Sequence, residues 1–184
     1  MNKRNVIGSL LVIVIVSAGI YFTWVNKAEA PVQSPEVVTS FDPKNATYVI
    51  DGQSVILVDG ISEVPAAPGS ASKTTTRYFG NDAHGDLTGD GQSDIAYLIT
   101  QDGGGSGLFY YAVVAVKTAD GYHLTNPFLI GDRIAPQSTE IISQELRVNY
   151  AERKKGEPMS TQPSQGATLL LKVTPDGILE GLMK

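Results

Sequence analysis

Cysteine is absent from the 184 residues, which excludes disulfides, thiolate metal sites and a lipid-modified cysteine after an export signal. Histidine is scarce, with two residues. His84 reads as a surface-turn residue beside an acidic stretch and His123 falls in an alternating strand, so neither supports a zinc or catalytic centre. Basic residues are thinly spread: without Lys3, Arg4, Lys27 and Glu29 of the first thirty positions, 11 basic and 18 acidic residues remain, a net charge of −7. That balance excludes binding of nucleic acid or an anionic membrane surface through bulk electrostatics. A helical hydrophobic period is also missing outside the first thirty residues, which removes amphipathic helices from the folded region.

The one long apolar run lies near the start. Lys3 and Arg4 precede an uncharged stretch from Val6 to Val25, twenty residues, which as a helix spans about 30 Å, the thickness of a bilayer core. Tyr21 and Trp24 suit the interfacial aromatic belt, and the leading positive charges orient the segment with its first residues in the cytoplasm. Residues 1–25 are therefore expected to be a transmembrane signal-anchor. Cleavage at Ala28-Glu29-Ala30 is the competing reading, disfavoured by the length of the run and by Pro31 after the cut. Residues 26–43 are polar and proline-punctuated, as a linker is. Residues 44–184 are then expected to form an exoplasmic domain, on the far side of the membrane from the first residues.

Within that domain the signals are almost all of strand type. ATYVI and SVILVD around Asp51-Gly52-Gln53 predict a hairpin, Ser62 to Ser72 a surface loop, and KTTTRYF a strand leading into Gly80-Asn81-Asp82 and the acidic stretch beyond. DIAYLITQ and LFYYAVVAVKT are the strongest strands; the second is apolar on both faces and so belongs at the centre of a sheet. YHLTNPFLIGDRI is interrupted by Pro127. TEIIS and ELRVNYAE form a further hairpin at Gln144, and ATLLLKVTP and a short strand near Ile178 to Leu182 complete the domain. Eight to ten strands predict an all-β, mainly antiparallel sandwich or a curled, barrel-like sheet behind the transmembrane helix.

Chemistry concentrates in Asp86 to Asp94, reading DLTGDGQSD. Carboxylates occupy positions 1, 5 and 9, a hydroxyl position 3 and Gly91 position 6. Ca²⁺ takes six to eight oxygens, so a short loop must wind tightly and aim alternate residues inward. On that spacing Asp86, Thr88, Asp90 and Asp94 offer side-chain oxygens and Gln92 its backbone carbonyl. No lysine or arginine lies between Tyr78 and Val116 to neutralise them. Position 12 is Tyr97 and not the glutamate of an EF-hand, and strands flank the loop. The competing reading is a solvated acidic turn, since Asp-Gly is a common turn pair.

DxTGDGxxD running into an apolar strand resembles the calcium loops of FG-GAP and VCBS-type extracellular repeats, which carry the loop repeatedly around a propeller; here it occurs once. The order GDLTGDGQSDIAYL, GGGSGLFYYAVVAV, LIGDRI over residues 76–150 is similar to a small domain of exported or membrane-anchored bacterial proteins of unassigned function. The first resemblance implies a calcium loop, with the Ca²⁺ expected to be structural; the second implies an extracytoplasmic location, periplasmic or extracellular, at a bacterial cytoplasmic membrane, and no reaction.

Gly103 to Gly107 reads as a flexible connection and not a phosphate cradle, because a strand follows and no lysine accompanies it. Two function classes stand open. One is a binding or envelope-interaction module. The other is a secreted or anchored hydrolase-like enzyme drawing on Asp82, His84, Asp86 and Asp102.

Overall fold

The computed structural model describes residues 40–182. The expected membrane segment and most of the linker lie outside the described residues, among which no helix is long and apolar enough to cross a membrane.

The centre of the domain is built by β5 (Asp94–Asp102) and β6 (Phe109–Thr118). They pair antiparallel from Ile95↔Ala115 to Gln101↔Phe109, with the glycine connection at one end. Side chains of a strand point alternately to opposite faces, and here both faces are covered. Ala96, Leu98, Tyr110, Ala112 and Val114 enter one core, and Tyr97, Ile99, Tyr111, Val113 and Ala115 enter another. This double burial is why both strands read as nearly continuous apolar runs and not as alternating ones.

Around this pair stands a six-stranded sheet in the order β3 (Ile61–Pro65), β4 (Lys73–Gly85), β5, β6, β7 (Gly121–Leu124), with β8 (Phe128–Asp132) also paired to β6. Two strands share one edge of β6: β7 lies along Ala115 to Thr118 and β8 along Phe109 to Ala112. Pro127, in the gap between them, has no N–H for a ladder and separates the two pieces. A four-stranded sheet, β12 (Leu179–Gly181), β11 (Gln165–Val173), β10 (Glu145–Glu152), β9 (Ala135–Ile142), covers the first core with Leu146, Val148, Tyr150, Leu171 and Leu179. A hairpin of β1 (Thr47–Ile50) and β2 (Gln53–Ile56) covers the second with Tyr48, Ile50 and Val55. Its two-residue turn has positive φ at both Asp51 (51°) and Gly52 (77°), the twist that lets adjacent strands pair directly.

The fold is all-β with antiparallel sheets, and among the described residues no closed barrel forms. Three expectations are corrected. There are twelve described strands, not eight to ten. Ser62 to Pro65, expected in a loop, belong to β3; this edge strand needs hydrogen bonds on one side only, so Pro65 at its end is tolerated and the hydrophobic signal is weak. Gly80-Asn81-Asp82, expected beyond the end of the KTTTRYF strand, lies inside β4, which bends there through register shifts with φ of 96° at Gly80 and 61° at Asn81. A bulge absorbs the turn-forming residues without ending the strand.

Candidate cation-binding loop

Residues 86–93 connect β4 to β5, whose facing ends are Gly85 and Asp94. The loop is fastened at two points. Leu87 is 2% exposed and inserts into the first core. Asp94 is fully buried: one carboxylate oxygen accepts from the Leu87 N–H at 2.9 Å and the other from the Lys117 N–H at 2.9 Å. The second bond ties the loop to the far half of β6. Two otherwise orphaned amides are thus satisfied by one charged acceptor, the stronger kind of hydrogen bond.

Above this anchor the other carboxylates organise backbone. Asp86 accepts from Gly89 N–H at 2.6 Å and Gly91 N–H at 2.9 Å. Asp90 accepts from the Gln92 backbone and side-chain amides at 2.8 and 3.0 Å. The Gln92 backbone bond, with further help from the Gln92 side chain and Thr88, holds the Asp90 carboxyl below the usual range. Gly91 has φ of 80°, as its expected role in the reversal requires. Gly89 is the glycine that spacing alone missed: its φ is 83°, and a Cβ there would lie 3.1 Å from the Gln144 side chain in the β9–β10 turn.

Asp86, Thr88, Asp90, Gln92 and Asp94 are therefore gathered on one loop, with Thr88 and Asp90 exposed, Asp86 and Gln92 half-buried and Asp94 enclosed. None of the three aspartates has an ion-pair partner among the described residues. The donor set is oxygen only, which suits a hard cation. Among the described residues no three His, Cys, Asp or Glu side chains converge as a metal-holding cluster; the carboxylates accept from amides of the loop and, for Asp94, also of β6, each oxygen keeping a further lone pair.

The quartet Asp82, His84, Asp86 and Asp102 is not brought together. Gly85 faces Asp94 whereas Thr75 faces Asp102, so Asp102 stands eight residues along β5, roughly 26 Å at strand rise. It accepts there from Gly104 N–H. Asp82 and His84 are exposed, and both Asp82 oxygens lie 2.6 Å from the Tyr78 hydroxyl.

Sequence spacing also leaves out a cleft of about 610 Å³ beside the loop, where Thr88 meets β6, β7 and the β11–β12 turn. Only tertiary structure brings these four segments together. Comparison with known proteins finds no matching family model, no matching curated protein and no matching solved structure.

Proposed function

We propose that the chain is a membrane-anchored, extracytoplasmic binding or envelope-interaction module whose β-domain carries one structural Ca²⁺ on the Asp86–Asp94 loop. The observation that carries the metal reading is a set of three carboxylates within nine residues, without an ion-pair partner among the described residues, on a loop pinned by Leu87 and Asp94. Asp86, Thr88 and Asp90 would supply side-chain oxygens at the mouth, Gln92 its carbonyl, and Asp94 an oxygen from below. The ion would relieve the mutual repulsion of the carboxylates. The anchor rests on the apolar run from Val6 to Val25 and the positive charges before it. A binding role is supported by an apolar outer face on the β1–β2 hairpin, where Val49 and Ile56 remain 59% and 61% exposed, a kind of surface that marks interaction sites when contiguous.

At a dissociation constant near 10⁻⁴ M, common for extracellular sites, about 1 mM Ca²⁺ would stabilise the fold by about 1.4 kcal/mol through mass action. The test is a thermal melt of the full chain in detergent with EDTA, Ca²⁺ or Mg²⁺. A Ca²⁺-specific rise of several degrees is expected, and Asp90→Ala should remove it while leaving the melt in EDTA almost unchanged. Equal loss in both conditions would leave Asp90 as a turn former only.

A further inference from the structure

The cleft beside the loop has a mixed apolar and polar lining. Val116 on β6, Leu124 on β7 and Val173 on β11 contribute apolar walls. Thr88 and the exposed His123 and Asp176 bring polar groups, and no lysine or arginine contributes. Asp176 is the one carboxylate in the lining, and among the described residues it takes part in no ion pair.

Turn chemistry explains why Pro175-Asp176-Gly177 occurs in the sequence, but not what the carboxylate does. The turn is held by Thr174: its carbonyl accepts from Gly177 N–H at 2.9 Å, its N–H donates to the Ile178 carbonyl at 2.8 Å, and its hydroxyl accepts from Ile178 N–H at 3.1 Å. The Asp176 side chain has no part in these bonds, so its charge remains free at the cleft.

We propose that this cleft receives the lysine or arginine side chain of a partner polypeptide, with the aliphatic stem along Val116, Leu124 and Val173 and the cationic head at Asp176. The complementarity is in both halves. A long basic side chain buries its methylenes on apolar surface while its head stays at a polar rim, and an acidic domain attracts cationic partners and repels anionic ones. Anionic ligands find no basic residue in the lining. The inference rests on the binding-module reading and names its partner chemistry; it does not depend on the cation.

The test uses the full ¹⁵N-labelled chain in detergent micelles, titrated with acetyl-Gly-Lys-Gly-amide, acetyl-Gly-Arg-Gly-amide and the neutral acetyl-Gly-Gln-Gly-amide. The basic peptides should shift the amides of residues 116–124 and 173–178 saturably, and the glutamine peptide should not. Asp176→Asn should weaken the interaction about fivefold, the effect of losing a partly exposed charge pair worth about 1 kcal/mol. His123→Lys, which sets a fixed cation at the rim, should weaken it too. Asp51→Asn, on the remote hairpin turn, removes the same charge and should leave affinity unchanged. No shift, an equal response to the glutamine peptide, or undiminished affinity in Asp176→Asn would overturn the proposal. Titrations in Ca²⁺ and in EDTA, each paired with a melt, separate the two readings. A Ca²⁺-dependent melt with a silent cleft overturns the cleft alone, and a responsive cleft without a Ca²⁺ effect supports it while removing the metal.

Discussion

The two faces of the six-stranded sheet are sealed by different means. Toward the four-stranded sheet the contact is largely aliphatic, with Leu98, Val114, Leu146, Val148, Leu171 and Leu179 at or near zero exposure. Toward the β1–β2 hairpin, aliphatic contacts of Ile50, Val55, Leu57, Ile99 and Val113 are joined by a cluster of aromatic rings whose centre is Tyr97. The rings of Phe41, Tyr48 and Tyr78 surround Tyr97 at 6.3, 6.4 and 5.8 Å. The Tyr48 and Tyr97 hydroxyls lie 3.1 Å apart, and Tyr48 donates to the Pro43 carbonyl at 2.6 Å. A two-stranded hairpin is at best marginally stable alone, and it gains from a small number of large rings with directional hydroxyls. The broader sheet can rely on non-directional aliphatic packing, which specifies less about how its partner is seated.

This contrast can be broken first at Leu98. Leu98→Ala should cost about 3 kcal/mol, the middle of the range for a buried leucine truncation in a core that cannot collapse around the gap, read as a lower denaturant midpoint with unchanged m-value.

Asp94→Ala comes next. It leaves the Leu87 and Lys117 amides, one buried and one half-buried, without their acceptor, and at about 1 kcal/mol each the loss is about 2 kcal/mol. Hydrogen exchange at those two amides should rise before that of the β5–β6 ladder, whereas a purely global loss would raise both together.

The aromatic face is sharpened by alkaline titration. Burial raises the Tyr48 hydroxyl to about 12 from 10.0, although its hydrogen bond with Tyr97 works the other way. Burial likewise raises Tyr97 and Tyr78, assisted by neighbouring negative charge. The unfolded chain thus releases these protons at lower pH than the native protein. The stability that these three groups contribute is therefore fully present below pH 10 and falls as pH rises toward 12 and beyond. Denaturant midpoints measured between pH 8 and 12 should be flat at first and then decline; a flat profile throughout would mean that the rings are not enclosed. Tyr97→Phe should reduce that decline by one titrating group, and at neutral pH cost about 1 kcal/mol, because Tyr48 keeps its bond to Pro43 and no buried donor is orphaned.

Much of this organisation was legible from residue order. The strands at 94–102 and 109–118 and the hairpins at Asp51-Gly52 and Ser143-Gln144 announce themselves by apolar runs and turn residues whose signals are local. Less legible were β3, whose edge position demands little of its side chains, and the interior of β4, where Gly80-Asn81-Asp82 looks like a turn but forms a bulged strand. In the loop, the spacing singled out Asp86, Thr88, Asp90, Gln92 and Asp94 as a group. It did not distinguish the exposed Asp90 from the enclosed Asp94, because that difference depends on a bond to Lys117, twenty-three residues away.

Sequence by itself determined the all-β class, the central place of residues 109–118 and the concentration of carboxylates in DLTGDGQSD, since each follows from side-chain type and short-range spacing. Tertiary structure decided which face each core residue enters, that Asp94 fastens the loop to β6, that Asp102 lies far from Asp86, and that Val116, Leu124, Val173 and Asp176 border one cleft. Those outcomes depend on strand register and on the packing of one sheet against another, and no short window of residues contains either.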